Sequence, residues 1–229
     1  MKIKLFKTGI TILICLLSIT PFAQQKKDLL AYSLQAKTAY EDAFKKLPES
    51  YKEKLSQLEK KEDSLINKGK PTGLFNEQNK VGWSIFTKFD EIIIQGNKEK
   101  LNPGTTENLY QPDHSGAILN GDTLTIFTGV FFPRFKITTI KNKTSIVYED
   151  WRKYDPVFQK KPTDKPDENL NLNCSIEELI LSKKQISTND IVYGKATFST
   201  PEFYENKILK KFKFSYVFKV HIVKAERKD

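Results

Sequence analysis

The sequence predicts an α+β protein. An N-terminal helical pair leads into a mainly antiparallel β-sheet of about seven or eight strands, arranged as a sandwich or a strongly curved sheet. Three observations carry this expectation. Apolar residues recur every three or four positions across residues 28–68 and at every second position beyond Gly73. Asn120-Gly121 stands between two short apolar runs, a strong short-range hairpin signal. Phe212, Phe214, Tyr216, Phe218, Val220 and Ile222 alternate with more polar residues near the end of the chain, the period of a strand with one face in the core.

Residues 1–23 read as a secretory leader. Lys2, Lys4 and Lys7 precede an apolar run over 9–19, and Pro21 and Ala23 precede polar Gln24-Gln25-Lys26-Lys27. As a helix the apolar run spans roughly 16 Å, about half the hydrocarbon thickness of a bilayer, so a permanent anchor is not expected. Cys15 lies within that run behind bulky Ile14, which argues against a lipid-modified cysteine. Without the leader the chain keeps Cys174 alone. No internal disulfide is then available, and Cys174 is expected to be a small buried hydrophobe.

Residues 24–70 form the helical segment. Leu29, Ala36, Tyr40, Ala43, Phe44 and Leu47 share one face. Pro48 restricts Leu47 and lacks an amide hydrogen, so it ends the first helix, while suiting the first turn of a second. Tyr51, Leu55, Leu58 and Leu65 continue a seam that Glu62 interrupts, and Gly69 and Pro71 close it.

Residues 71–229 form the β domain. Strands are expected at 81–86 and 91–95, with a loop over 97–116. Asn120 and Gly121 are the expected centre of a hairpin joining 117–119 to 123–127. Residues 134–140 and 144–149 form another pair, 159–169 an exposed loop, and 170–182 and 191–199 further strands. The six alternating apolar residues of the last strand represent roughly 9–18 kcal/mol of transfer free energy before chain entropy is subtracted.

Composition and motifs narrow the function classes. The 229 residues are 38% apolar and 29% charged, which excludes wholesale disorder and a helical polytopic membrane protein. No P-loop, G-x-G-x-x-G, G-x-S-x-G, H-E-x-x-H or C-x-x-C is present. His114, His221 and Cys174 have no ligand spacing, so neither a metal nor a cofactor is expected.

The weak catalytic candidates are Asp113, His114 and Asp122, drawn from Asp113-His114-Ser115-Gly116 and Gly121-Asp122-Thr123. A carboxylate-oriented histidine could activate a hydroxyl. The competing expectation is a polar loop leading into a hairpin. Trp151 and Arg152, followed by Lys153 and Tyr154, could stack on a sugar or a base, or merely cover core edges.

Charge supplies the remaining candidates. Removing the leader lowers the formal charge from +10 to +7, and residues 207–229 hold eight bases against two acids. Lys211, Lys213, Lys219 and His221 share the wetter face of the last strand. They form a stripe that could meet an anionic partner or could simply guard the strand against edge pairing. The expected function is a non-catalytic, exported protein, periplasmic or secreted and bacterial. It binds another envelope or extracellular macromolecule, anionic if the stripe is used. Export makes nucleic acid an unexpected partner. The alternatives are a hydrolase using His114 with a carboxylate and a carrier enclosing an apolar ligand.

Overall fold

In the computed structural model, the residues described are 30–68, 82–103, 112–129, 134–141 and 143–224. The expected leader, the expected helix stop at Gly69 and Pro71, and residues 225–229 lie outside them. Strand β1 (Leu30–Tyr32) leads into helices α1 (Gln35–Lys45) and α2 (Glu49–Asn67). Then follow β2 (Gly82–Gln95), β3 (Lys98–Pro103), β4 (Pro112–Asn120), β5 (Thr123–Thr128), β6 (Arg134–Ile140) and β7 (Lys143–Trp151). The chain continues through β8 (Phe158–Gln159), β9 (Asn169–Asn173), β10 (Ser175–Leu181), β11 (Ile191–Ser199), β12 (Phe203–Glu205) and β13 (Ile208–Lys224).

The molecule is α+β, with N-terminal helices and one mixed, mostly antiparallel sheet. The sheet has thirteen strands among the described residues, more than the seven or eight expected. The excess is short or comes from breaking a longer run. β1, β8 and β12 have two or three residues each, too few to leave a period in the sequence. The run expected over 170–182 divides at Cys174 into β9 and β10. Conversely, the strands expected at 81–86 and 91–95 are one strand, β2. Thr87 bulges out of its ladder with β13 and donates its hydroxyl to the Ser215 carbonyl at 3.2 Å.

The sheet runs β1-β10-β11-β13-β2-β4-β5-β6-β7-β9. Only Cys174 separates β9, which pairs with β7, from β10, which pairs with β11. The Cys174 amide still donates to the Ile146 carbonyl of β7 at 2.8 Å. One bent run thus links β9, the last strand of the ladder, to β10, the second from the other end, with β1 paired outside it.

Gly82 permits a further pairing. β13 outruns β2 and pairs in parallel with β4 through Ile222, Val223 and Lys224. A Cβ on Gly82 would lie 2.3 Å from the Lys219 carbonyl oxygen and 2.9 Å from that of Ser115. Only glycine fits where three backbones converge.

Alternation directs one face of each strand inward. Phe135, Tyr148, Phe198, Phe214, Tyr216 and Phe218 fill that space with Ile126, Ile137, Leu170 and Val220. Phe135 lies 4.7–5.8 Å, ring centre to ring centre, from Phe86, Tyr148, Phe198, Phe214 and Tyr216. Gly194 leaves room for the Phe218 ring, which a Cβ there would meet at 1.9 Å. The inward face is therefore occupied by the protein's own aromatic rings.

The helices pack on the opposite face. Tyr40, Ala43 and Leu47, with Leu55 of α2, meet Trp83, Ile85 and Val217 of the sheet. Fully burying one such aliphatic or aromatic side chain contributes roughly 1.5–3 kcal/mol. The helical expectation over 28–68 needs one correction, because residues 30–32 are β1, paired in parallel with β10. Ser33 makes the transition: its hydroxyl accepts the Gln35 amide at 3.1 Å, and Ala36 begins the buried helical face.

The loop expected over 97–116 also needs correction. Residues 98–103 are β3, joined to β2 through Gly96 at positive φ, and residues 112–116 belong to β4. The β4–β5 hairpin forms one position later than expected. Asn120 pairs with Thr123, and the turn residues are Gly121 and Asp122, of which Gly121 has positive φ.

Candidate functional site

The face of the sheet beneath the helices brings together residues from two of the candidate sets. Reading across four adjacent strands, Tyr193 is opposite Lys219, Lys219 opposite Trp83, and Trp83 opposite His114. The helices supply the roof. The Tyr40 ring meets Tyr193 edge-on at 5.6 Å, Lys37 lies 5.9 Å from the centre of the Tyr193 ring, and Glu59 accepts from Lys219 at 3.4 Å. Tyr40, Glu41, Phe44, Lys45, Glu59, Tyr193 and Lys219 border an open groove of about 330 Å³.

His114 ends this row, and its ring packs on Trp83 with centres 4.5 Å apart. Burial depresses the imidazole below its ordinary value; Lys54 adds to that effect and Asp113 opposes it. The Asp113 carboxylate binds the backbone amide of His114 at 2.7 Å. Because neighbours in a strand point to opposite faces, Ser115 is buried inward while His114 faces the helices. Asp122 lies at the far end of the hairpin, roughly 20 Å along the strand from His114. There it borders a separate opening with Tyr32, Lys141 and Lys184. The structure does not bring Asp113, His114 and Asp122 together around one point.

Of the lysines of β13, Lys210, Lys211, Lys213 and Lys219 each meet a carboxylate. Lys211 pairs with Glu99 of β3 at 2.6 Å, Lys213 with Glu177 of β10 at 2.7 Å, and Lys219 with Glu59 of α2. Lys210 bridges Glu91 and Glu205 at 2.7 and 2.8 Å. Those acids come from five different elements, and all but Glu205 are distant from β13 in the sequence. His221 is partly buried opposite Ile191 of β11.

Arg152 belongs to a connected polar group. It approaches Asp150 at 3.3 Å and Glu205 at 3.9 Å, and Glu205 continues through Lys210 to Glu91. Asp150 is buried, accepting from the Tyr148 hydroxyl at 3.1 Å and the Trp151 amide at 2.7 Å. Burial raises the Tyr148 phenol, and the adjacent Asp150 charge raises it further. Desolvation would also raise Glu91, but hydrogen bonds from Lys210 and Asn102 outweigh it and hold the carboxyl below its usual range. Trp151 points outward and is 38% exposed, whereas Tyr154, at positive φ, is 82% exposed.

Burial pushes the Cys174 thiol up to about 12, against a small lowering by the Tyr148 amide. The thiol is therefore neutral at ordinary pH and a poor nucleophile. Among the described residues, no group of three or more His, Cys, Asp or Glu side chains is placed to hold a metal ion, and no helix is long and apolar enough to cross a membrane.

Compared with protein-family models, curated proteins and solved structures, the chain has no match.

Proposed function

We propose that this protein is exported and acts without catalysis, by binding another macromolecule of the envelope or exterior. One observation carries the reading: the candidate acid–base groups are each engaged elsewhere. The Asp113 carboxylate holds a backbone amide, the His114 ring is packed on Trp83, and Asp122 is at the other end of the hairpin. General acid–base chemistry needs such groups within hydrogen-bond reach of one reacting atom. The aromatic filling of the inward face favours binding at the surface over enclosure of an apolar ligand.

The pairing of Lys211, Lys213 and Lys219 also bears on how a partner is held. An anionic partner using that stripe would compete with Glu99, Glu177 and Glu59 for the same ammonium groups. The surface is therefore expected to act mainly through uncharged contacts.

Capture from an envelope extract at low salt and at about 0.5 M salt, where the Debye length is roughly 4 Å, tests this. The expected result is a specific species retained under both conditions. Loss at high salt would reinstate the basic stripe as the site. Failure to capture anything, together with a hydrolytic activity abolished by His114→Gln, would overturn the binding reading.

A further inference from the structure

We infer that the outer face of β7 and β9 is a binding site for a neutral polysaccharide, an inference that rests on the binding reading above and names its partner class. The helices cover β11, β13 and β2. β7 and β9, at the opposite end of the sheet order, turn a different surface to solvent. β9 alternates strictly, with Asn169, Asn171 and Asn173 exposed and Leu170 and Leu172 buried. The register sets Trp151 opposite Asn169 and Glu149 opposite Asn171. Arg134 of β6 pairs with Glu149 across the next ladder.

These groups suit a sugar chain. An indole face is flat and apolar with a negative quadrupole, the complement of the C–H face of a pyranose ring. A primary amide offers two donors and an acceptor, enough to hold a vicinal pair of hydroxyls. The Asn169 side chain already bonds Asp167, but the Asn171 and Asn173 amides have no protein partner among the described residues. From Asn169 to Asn173 the row extends roughly 14 Å, the length of a short oligosaccharide.

Charge matching selects a neutral chain. Glu149 is closed by Arg134, and the one further charge on these rungs is Lys136, opposite Val147, a single cation that cannot track a polyanion. A nucleic acid would need several unpaired cations to neutralise its phosphates. A protein partner would need a dehydrated apolar centre. A row of amides beside one indole supplies neither.

Affinity electrophoresis of the full chain in gels containing laminarin, pullulan or xylan, with alginate as the anionic comparison, tests the site. The expected result is retardation by at least one neutral polysaccharide, persisting at about 0.5 M salt. Trp151→Ala should weaken it at least about tenfold, and Asn171→Ala with Asn173→Ala severalfold. Asn171 and Asn173 are exposed, so their replacement should leave the melting temperature unchanged. Trp151 is 38% exposed, and its variant should stay cooperatively folded with a lower melting temperature. Retardation by alginate alone, retardation by none, or wild-type retardation in Trp151→Ala would overturn the inference. In any of those cases an envelope species still captured by the wild-type chain would leave the binding reading standing.

Discussion

At the residue scale, His114 shows how burial fixes a role that local sequence leaves open. Its neighbours suggested an oriented base, yet Asp113 serves the backbone and Trp83 holds the ring. The consequence is a pH dependence of stability. The folded imidazole lies below 6.5, so as pH falls past that value the unfolded chain takes its proton first. Stability is therefore complete above about 6.5 and declines with acid until the folded histidine also protonates. Melting temperatures between about pH 7.5 and pH 5 should fall less steeply in His114→Gln than in the wild type. Equal slopes would show that burial does not set this titration. The ion pairs of Lys211 and Lys213 are partly exposed. Breaking either should cost no more than about 1 kcal/mol.

At the element scale, β13 organises the sheet. It pairs with β11, β12, β2 and β4 and places Phe214, Tyr216, Phe218, Val220 and Ile222 in the core. Ending the chain at Leu209 removes all of these, and the truncated chain is expected to lose cooperative unfolding by circular dichroism. A soluble truncated chain with a sharp transition would contradict that. This strand was legible in the sequence because six alternating apolar residues leave little choice of face. The helices were legible for the same reason, through Ala36, Tyr40, Ala43 and Leu47. β3 was missed although Gly96-Asn97 is a recognised two-residue hairpin signal; its charged Lys98, Glu99 and Lys100 conceal a strand that only β2 stabilises. β1, β8 and β12 have no period of their own and exist through pairing alone.

At the scale of the whole molecule, the bend at Cys174 links β9 to β10 from opposite ends of the sheet order. The bend leaves the three-residue β1 as the edge beyond β10, and a short edge is a poor template for other chains. The outer surface is divided into a helix-covered part and the open β7–β9 part. Neither division was legible in the sequence, because both depend on which distant strands become neighbours. The candidate residues were legible as types, but their partners were not. Lys219 finds Glu59 across 160 positions, and Lys211 finds Glu99 across 112. Trp151 and Arg152 stood out as an aromatic–basic pair, whereas the structure separates their roles. Arg152 joins the Asp150–Glu205 network, and Trp151 faces outward beside the asparagines.

Whether binding uses that open face is the central claim, and hydroxyl-radical footprinting of side chains reads it directly. Oxidation would be compared in the free chain and in the chain saturated with the polysaccharide or envelope species it captures. The account predicts protection of Trp151, with Tyr193, Tyr40 and Phe44 of the helix-covered groove unchanged. Protection confined to those groove residues, with Trp151 oxidised as in the free chain, would contradict it.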